Sequence, residues 1–338
     1  MNIRIIINPV SGTDAARKRA KKVVLALEEE FNIKGIKTER AGHATELARQ
    51  AVNDGVEIVV AVGGDGTVNE IASALVGTET ALIIVGTGSG NGLARDLGMF
   101  GLSTKKIIER IKENKSYRID CGEVLGRKFF CTCGSGFDAL IGHLFAQTKG
   151  RGFLTYVKLS LKAYKDYTPL SYHLSFGGDN TCGSDSRKDA PCADEVAGAH
   201  MESKKGEAFV VNIANNKQFG NNAYIAPHAN LMDGLFTVTI IKPFKWYNIP
   251  YMAYSLFFKQ MHKNKFVETF DCGDCILDVP NTAVPEPVDE LMTEGNNGPE
   301  LDKGSKTQSA YLHIDGEPIN TNSNSFSVKM IPAGLKII

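Results

Sequence analysis

Glu57-Ile-Val-Val-Ala-Val62-Gly63-Gly64-Asp65-Gly66-Thr67-Val68-Asn69-Glu70 reads as a β-branched strand that runs into a glycine-rich turn and then into a helix, Val68 to Leu75. Glycines on both sides of one acid leave the backbone open, so N–H groups can approach a phosphate with no Cβ in the way. The helix that follows points its N-terminal dipole at the same spot. An acid among phosphate-binding amides fits the holding of Mg²⁺ or of a substrate hydroxyl, and Asp65 is that acid. The plainer reading is a tight strand-to-helix turn with Asp65 as a helix cap.

The same alternation extends to both sides. Ile3–Ile7 is a strand ending in the turn signal Asn8-Pro9, and Asp14 to Phe31 is an amphipathic helix with Ala16, Ala20, Val23, Val24, Leu27 and Phe31 on one face. Thr45 to Asn53 is a helix, and Ala81–Val85 is a buried strand followed by Gly86-Thr-Gly-Ser-Gly-Asn-Gly92 and a helix from Leu93. Repeated βα units predict a parallel sheet covered by helices, with ligands at the carboxyl ends of the strands.

After about residue 120 the texture becomes short strands: Lys128–Thr132, Tyr172–Phe176, Ala208–Ala214, Phe236–Ile241, Tyr311–Ile314 and Phe326–Met330, with a helical excursion near Leu154–Lys165. The expected architecture is an N-terminal α/β nucleotide-binding domain over residues 1–121 and a mostly antiparallel, sandwich-like β domain over 122–338, with the active site in the cleft between them. Gly177 to Gly206 and Pro280 to Ser309 are polar and poor in strand signals, and read as flexible insertions.

Composition limits the function classes. The 338 residues carry 38 Lys+Arg against 38 Asp+Glu, a net charge of zero that argues against coating nucleic acid or anionic membrane by bulk electrostatics. The longest greasy stretch, Phe244 to Phe258, is interrupted by Lys245, Asn248 and Pro250 and is too short to span a bilayer. The start of the chain lacks a signal-peptide layout, so the expectation is cytoplasmic. The 7 Cys are irregularly spaced, which speaks against a disulfide framework, and Cys272-Gly-Asp-Cys275 lacks the second CxxC of a zinc ribbon.

Other motifs are individually weak. Gly88-Ser89-Gly90-Asn91 follows a strand and can supply amides and a hydroxyl, but it is not a Walker A loop because no Gly-Lys-Ser/Thr follows. Gly134-Ser-Gly-Phe-Asp-Ala139 matches GxGxxA without the later acid, and reads as a turn in the β domain. Asp138 is either a satisfied turn acid or a partner for a substrate amine or hydroxyl. Asp315-Gly316 is a hairpin signal, and Glu317 beside it suits a general base. Pro243 to Phe266 places Trp246, Tyr247, Tyr251, Tyr254, Phe257 and Phe258 near Lys259, Lys263 and Lys265. The plainer expectation there is a helix packing its aromatics into the core, and the other is an interfacial surface.

Together, Asn8-Pro9-x-Ser11-Gly12, Thr38-Glu-Arg-Ala-Gly-His-Ala44, Gly63-Gly-Asp-Gly-Thr-Val-Asn-Glu70, Gly88-Ser-Gly-Asn91, Asp233-Gly234 and Asp315-Gly-Glu317 resemble, in this order, the diacylglycerol-kinase catalytic family, which includes bacterial lipid kinases and sphingosine kinases. The family's nucleotide loop usually begins with Pro where Gly86 stands here. The resemblance implies ATP contacts from Asn8, Thr38, Gly63, Gly64, Asp65, Gly66, Thr67, Val68, Asn69 and Ser89, with Asp65 organising Mg²⁺ and the phosphates. It implies Glu317 as proton acceptor for a lipid hydroxyl, and a structural Mg²⁺ at the Asp233 carboxylate with the carbonyls of Asn230 and Leu235. The activity so implied is ATP-dependent phosphorylation of a membrane lipid, by a protein in transient peripheral contact with the inner membrane surface, without a nucleic-acid partner and compatible with a homodimer. A kinase of a soluble substrate such as NAD, or a non-catalytic nucleotide-binding regulator, stand as alternatives.

Overall fold

The computed structural model describes residues 1–88, 90–148, 153–177, 201–279, 311–319, 321 and 323–338. The first unit alternates strand and helix: β1 Ile3–Ile7, α1 Asp14–Phe31, β2 Ile36–Lys37, α2 His43–Asn53, β3 Ile58–Gly63, α3 Asp65–Leu75, β4 Ala81–Gly86, α4 Gly92–Asp96 and α5 Thr104–Glu113. The strands pair in parallel in the order β2-β1-β3-β4. Every residue of β3 and β4 is buried, which is why these central strands are continuous apolar runs rather than alternating ones. Thr13 accepts a bond from the Ala16 N–H to cap α1, and Asn32 closes the helix in the left-handed conformation. Helix α5, capped by Ser103 and closed by Asn114, was not foreseen; its buried Ile107 and Ile111 are one turn apart among charges.

The second unit is mostly antiparallel: β5 Tyr117–Val124, β6 Arg127–Phe129, β7 Thr132–Gly136, α6 Phe137–Gln147, α7 Phe153–Ala163, β8 Leu170–Gly177, β9 Met201–Ala208, β10 Val210–Ala214, β11 Phe236–Ile241, α8 Ile249–Phe257, β12 Val267–Cys272, β13 Cys275–Asp278, β14 Leu312–Ile314, β15 Glu317–Ile319 and β16 Ser325–Ile337. One sheet runs β12-β11-β10-β7-β14-β15. The other continues the parallel sheet through β16 into β13, β8 and β9, with β5 and β6 alongside. Between the sheets lies a core that includes Phe129, Phe236, Phe326 and Leu174. Strand β16 joins the units: Val328 pairs with Cys275 and with Val124, while Ile337 lies parallel beside Leu82.

Three expectations need correction. Residues 201–206 are not part of a structureless insertion, because β9 pairs with β8 along its whole length, from Leu170↔Ala208 to Gly177↔Met201. Met201–Ala208 is a charged sheet edge with little apolar burial, so it carries no alternation to read. The remainder of that stretch, 178–200, and Pro280 to Ser309 lie outside the described residues. Gly136, expected in a turn of the β domain, instead ends β7 and starts α6 at φ 126°. The aromatics of 246–258 are not core: in α8 only Ser255 is buried, and Trp246 is 72% exposed.

Candidate active site

Strands β1, β3 and β4 end in register, with Ile7 beside Val62, Val62 beside Val85 and Gly63 beside Gly86. The ladders run one residue further, through Asn8 N–H to Val62 O and Thr87 N–H to Gly63 O, both at 2.8 Å. Thr38 N–H donates to Ile7 O at 2.8 Å, so Asn8, Thr38 and the Gly63–Asn69 turn share one sheet edge. Neighbouring loops about 5 Å apart can touch only where side chains are missing. A methyl at Gly12, whose φ is +82°, would lie 2.0 Å from Thr87 O, and one at Gly88 would lie 3.0 Å from the Gly64 Cα. Polar bonds complete the seam: Thr87 Oγ1 donates to Ser11 Oγ at 3.1 Å, and Asn8 Nδ2 to Thr67 Oγ1 at 2.8 Å. Ser89 lies outside the described residues.

Asp65 does not cap its own helix, whose N-cap is Gly64. Its carboxylate instead accepts the N–H groups of Asn91 at 2.8 Å and Gly92 at 2.9 Å, capping α4 and tying the two glycine loops together. A methyl at Gly90 would lie 2.7 Å from Asp65 Oδ2. The first N–H groups of α3 have no acceptor within the helix, as in any helix start, and are available to an anion. Val68 is different: it is buried and its N–H donates to Gly64 O at 3.0 Å, so it braces the helix. Gly86 stands where a methyl would already meet Asn91 Oδ1 at 2.8 Å and Phe100 at 3.1 Å, so a proline ring has no room there. Arg95 bonds Gly90 O at 2.7 Å while its guanidinium lies 3.9 Å over the Phe100 ring, and Arg19 bonds Gly86 O at 3.0 Å. Neither arginine was singled out from the sequence.

The second unit contributes the opposing wall. Asp315 (φ 49°) and Gly316 (φ 80°) form the two-residue turn between β14 and β15, with Ile314 paired to Glu317. Asp315 Oδ1 accepts the N–H groups of Cys131 at 2.8 Å and Thr132 at 3.0 Å; Oδ2 accepts Phe130 N–H at 3.0 Å and Asn69 Nδ2 at 2.8 Å. Burial raises its carboxyl above the usual range, and those same bonds oppose the rise. Asn215 holds the 130–132 segment from the other side, its Nδ2 donating to Phe130 O at 3.1 Å. Asp65, Asn69, Asn91, Cys131 and Asp315 line one cavity of about 10 Å³ at this seam.

The hairpin delivers Glu317 to the start of α3. A methyl at Gly66 would lie 2.7 Å from Glu317 Oε1. The residue is exposed overall, yet its carboxyl is partly desolvated against the helix. That desolvation, with the negative charges of Asp315, Glu70 and Asp65, raises its pKa, and Arg127 opposes the rise. Glu70 has a task of its own: its carboxylate accepts Gly42 N–H at 3.1 Å and Ala44 N–H at 3.2 Å, fixing the start of α2 beside Thr38. Asn230 and Asp233 sit in the turn before β11, which is tied to β5 through Asp120, the acceptor of Gly234 N–H at 2.8 Å. Asp233 Oδ1 accepts Leu235 N–H at 3.1 Å, and burial, then the charges of Asp271 and Asp120, raise its carboxyl. Among the described residues no group of three or more His, Cys, Asp and Glu side chains is placed to hold a metal. Asp138 uses both oxygens internally, on Ala139 N–H at 2.8 Å and His313 Nε2 at 3.0 Å. The five described cysteines are free and buried.

Comparison with known proteins agrees with this geometry. A family model described as the diacylglycerol kinase catalytic domain matches residues 2–124, and one described as the YegS C-terminal NAD kinase beta sandwich-like domain matches residues 131–271. A diacylglycerol kinase of Bacillus subtilis is 25% identical over 244 residues, covering 71% of this chain and 73% of that protein. A protein named probable lipid kinase YegS from Shigella boydii is 24% identical over 348 residues, covering 98% and 94%. The crystal structure of a diacylglycerol kinase from Bacillus anthracis shares the fold with a TM-score of 0.65 at 15% identity, over 100% of this chain and 96% of that one. The chain therefore joins a diacylglycerol kinase catalytic domain to a YegS C-terminal beta sandwich-like domain, the pairing of a lipid kinase.

Proposed function

We propose that the protein transfers the γ-phosphate of ATP to a hydroxyl of a membrane lipid, diacylglycerol-like or sphingoid-like, at the inner membrane surface of the cytoplasm. The observation that carries this reading is the placing of Glu317, from the second unit, against Gly66 at the phosphate-facing start of α3 in the first. ATP lies along the carboxyl edge of the parallel sheet, its phosphates met by the Gly63–Thr67 amides and the α3 dipole, with Asn8 and Thr38 beside it. Phosphoryl transfer asks little covalent work of the protein; positioning and charge stabilisation carry it. Glu317 takes the acceptor hydroxyl proton as the lipid oxygen attacks in line. Its raised pKa makes it a better proton acceptor than an ordinary carboxylate.

The donor set fits a hard divalent cation. Asp65 and Glu317 offer oxygens, and the negative charge gathered with Asp315 and Glu70 is itself a cause of the raised Glu317 pKa. Mg²⁺, when bound, neutralises charge on the phosphate oxygens. A second, structural Mg²⁺ would be held by the Asp233 carboxylate with the carbonyls of Asn230 and Leu235, where burial first, and then the Asp271 and Asp120 charges, raise the Asp233 carboxyl. The test is Glu317→Ala, assayed for turnover and, by calorimetry, for ATP binding. Loss of turnover with binding kept is expected; near-normal turnover removes Glu317 as base.

A further inference from the structure

We infer that the exposed aromatic face of α8 and its flanks seats the protein on an anionic lipid bilayer. Helix α8 is held to the body from below, where Met252 and Leu256, one turn apart, pack with Phe244 against the cluster of Ala214, Ile225 and Met261. Tyr251, Tyr254 and Phe258 face the other way, 40%, 53% and 63% exposed, and Trp246 and Tyr247 continue the face ahead of the helix. Tyr254 and Phe258 stack on each other at 4.7 Å and both stay more than half exposed. Single exposed apolar residues are ordinary, but a contiguous aromatic patch marks an interaction surface.

Charge identifies the partner. Residues 242–267 hold five lysines and no Asp or Glu, in a chain whose total charge is zero. Lys242 is paired with Glu268, whereas Lys245, Lys259, Lys263 and Lys265 are exposed and make no ion pair among the described residues. Aromatic rings that lie at headgroup depth, ringed by lysines, match an anionic leaflet; an acidic aqueous partner would leave the Trp and Phe rings unexplained. The face also reaches the cleft. Tyr224 N–H donates to Leu256 O at 2.9 Å and its ring lies under Lys259, while four residues earlier a methyl at Gly220 would touch the Gly90 Cα at 3.0 Å. One short segment thus links the docking helix to the loop that Asp65 holds. The inference rests, for its purpose, on the lipid-acceptor reading above.

Trp246 is the only tryptophan of the chain, so it reports on its own face. Vesicles of phosphatidylcholine with 30% phosphatidylglycerol, about a third anionic as a probe of the charge effect, are titrated into the full-length protein without nucleotide, and brominated lipid is used as quencher. The emission is expected to shift to shorter wavelength and to be quenched. A triple Tyr251→Ser, Tyr254→Ser, Phe258→Ser variant, folded by circular dichroism, is expected to bind roughly 10-fold or more weakly. The pair Lys259→Glu, Lys263→Glu is expected to lose a similar factor on anionic vesicles and little on neutral ones. Unquenched Trp246, or a triple variant that binds like the parent, overturns the proposal. So does a parent dimer that this variant turns to monomer with vesicle binding unchanged, because a second copy then covers the face. Binding through this face by a protein that phosphorylates no lipid keeps the docking and sinks the kinase reading. Turnover of a dispersed short-chain diacylglycerol without vesicle binding does the reverse.

Discussion

Gly66→Ala separates catalytic geometry from stability. Gly66 is in α3 with ordinary helical backbone, so alanine adds no strain and gains up to about 1 kcal/mol of helix propensity. The new methyl would stand 2.7 Å from Glu317 Oε1, about 0.7 Å inside the 3.4 Å at which ordinary contact begins. The obstacle is the far end of a flexible side chain, so Glu317 yields and the fold does not. A misplacement of about 1 Å costs on the order of 100-fold in rate, so a shift of this size is expected to lower kcat roughly 10- to 100-fold, or about 1.4 to 2.7 kcal/mol of barrier. The assay is steady-state turnover on lipid in mixed micelles beside thermal unfolding of the same sample. The expected pair of results is a clear fall in kcat and an unfolding temperature at or above that of the parent. Unchanged kcat in the folded variant refutes the claim that the Glu317 carboxyl acts from against this helix start.

Gly90→Ala is expected to behave oppositely, because Asp65 Oδ2, 2.7 Å from the new methyl, belongs to a carboxylate pinned by one N–H group on each oxygen and cannot withdraw; a loss of about 1 to 3 kcal/mol in denaturant unfolding checks this. Asp315→Asn sets an amide against backbone N–H donors and is expected to cost about 2 to 4 kcal/mol, with turnover falling as the Glu317 hairpin loosens, read by unfolding and kinetics together. Arg127→Gln removes the cation that opposes the rise at Glu317. Its carboxyl is then protonated up to a higher pH, so the acid limb of kcat/KM is expected to move upward, and less so at 1 M salt, where the Debye length is about 3 Å. Asp120→Asn leaves one oxygen to serve the Gly234 and Ala333 N–H groups, now bonded to separate oxygens at 2.8 and 2.6 Å, and sets an NH2 against the other, so it is expected to destabilise by about 1 to 3 kcal/mol in thermal unfolding.

The parallel half of the fold was legible because its signals are local. Strands β3 and β4 are unbroken apolar runs, each ends in glycines, and Thr13 and Ser103 cap the helices they precede. The antiparallel half was legible only where a strand alternates or is buried. Met201–Ala208 is nearly all exposed and charged, and what makes it a strand is the length of β8 beside it. For the site, Asp65 and Glu317 could be named from their motifs, but their separation in sequence hid what joins them. That link is Asp315, held by the Phe130–Thr132 amides and Asn69 from distant parts of the chain. The aromatic segment failed for a simpler reason: helical periodicity locates an apolar stripe, and composition alone does not say whether that stripe meets a core or water.

The central claim is that the cleft passes phosphate from ATP to a lipid hydroxyl with Glu317 as proton acceptor. It is tested most directly by incubating the parent and the Glu317→Gln protein with γ-labelled ATP and Mg²⁺ against a panel of diacylglycerol, a sphingoid base, phosphatidylglycerol and NAD. The expected result is label in a lipid phosphate from the parent, and none above background from the variant although it still binds ATP. Label in NAD alone, or lipid labelling that Glu317→Gln leaves intact, contradicts the account.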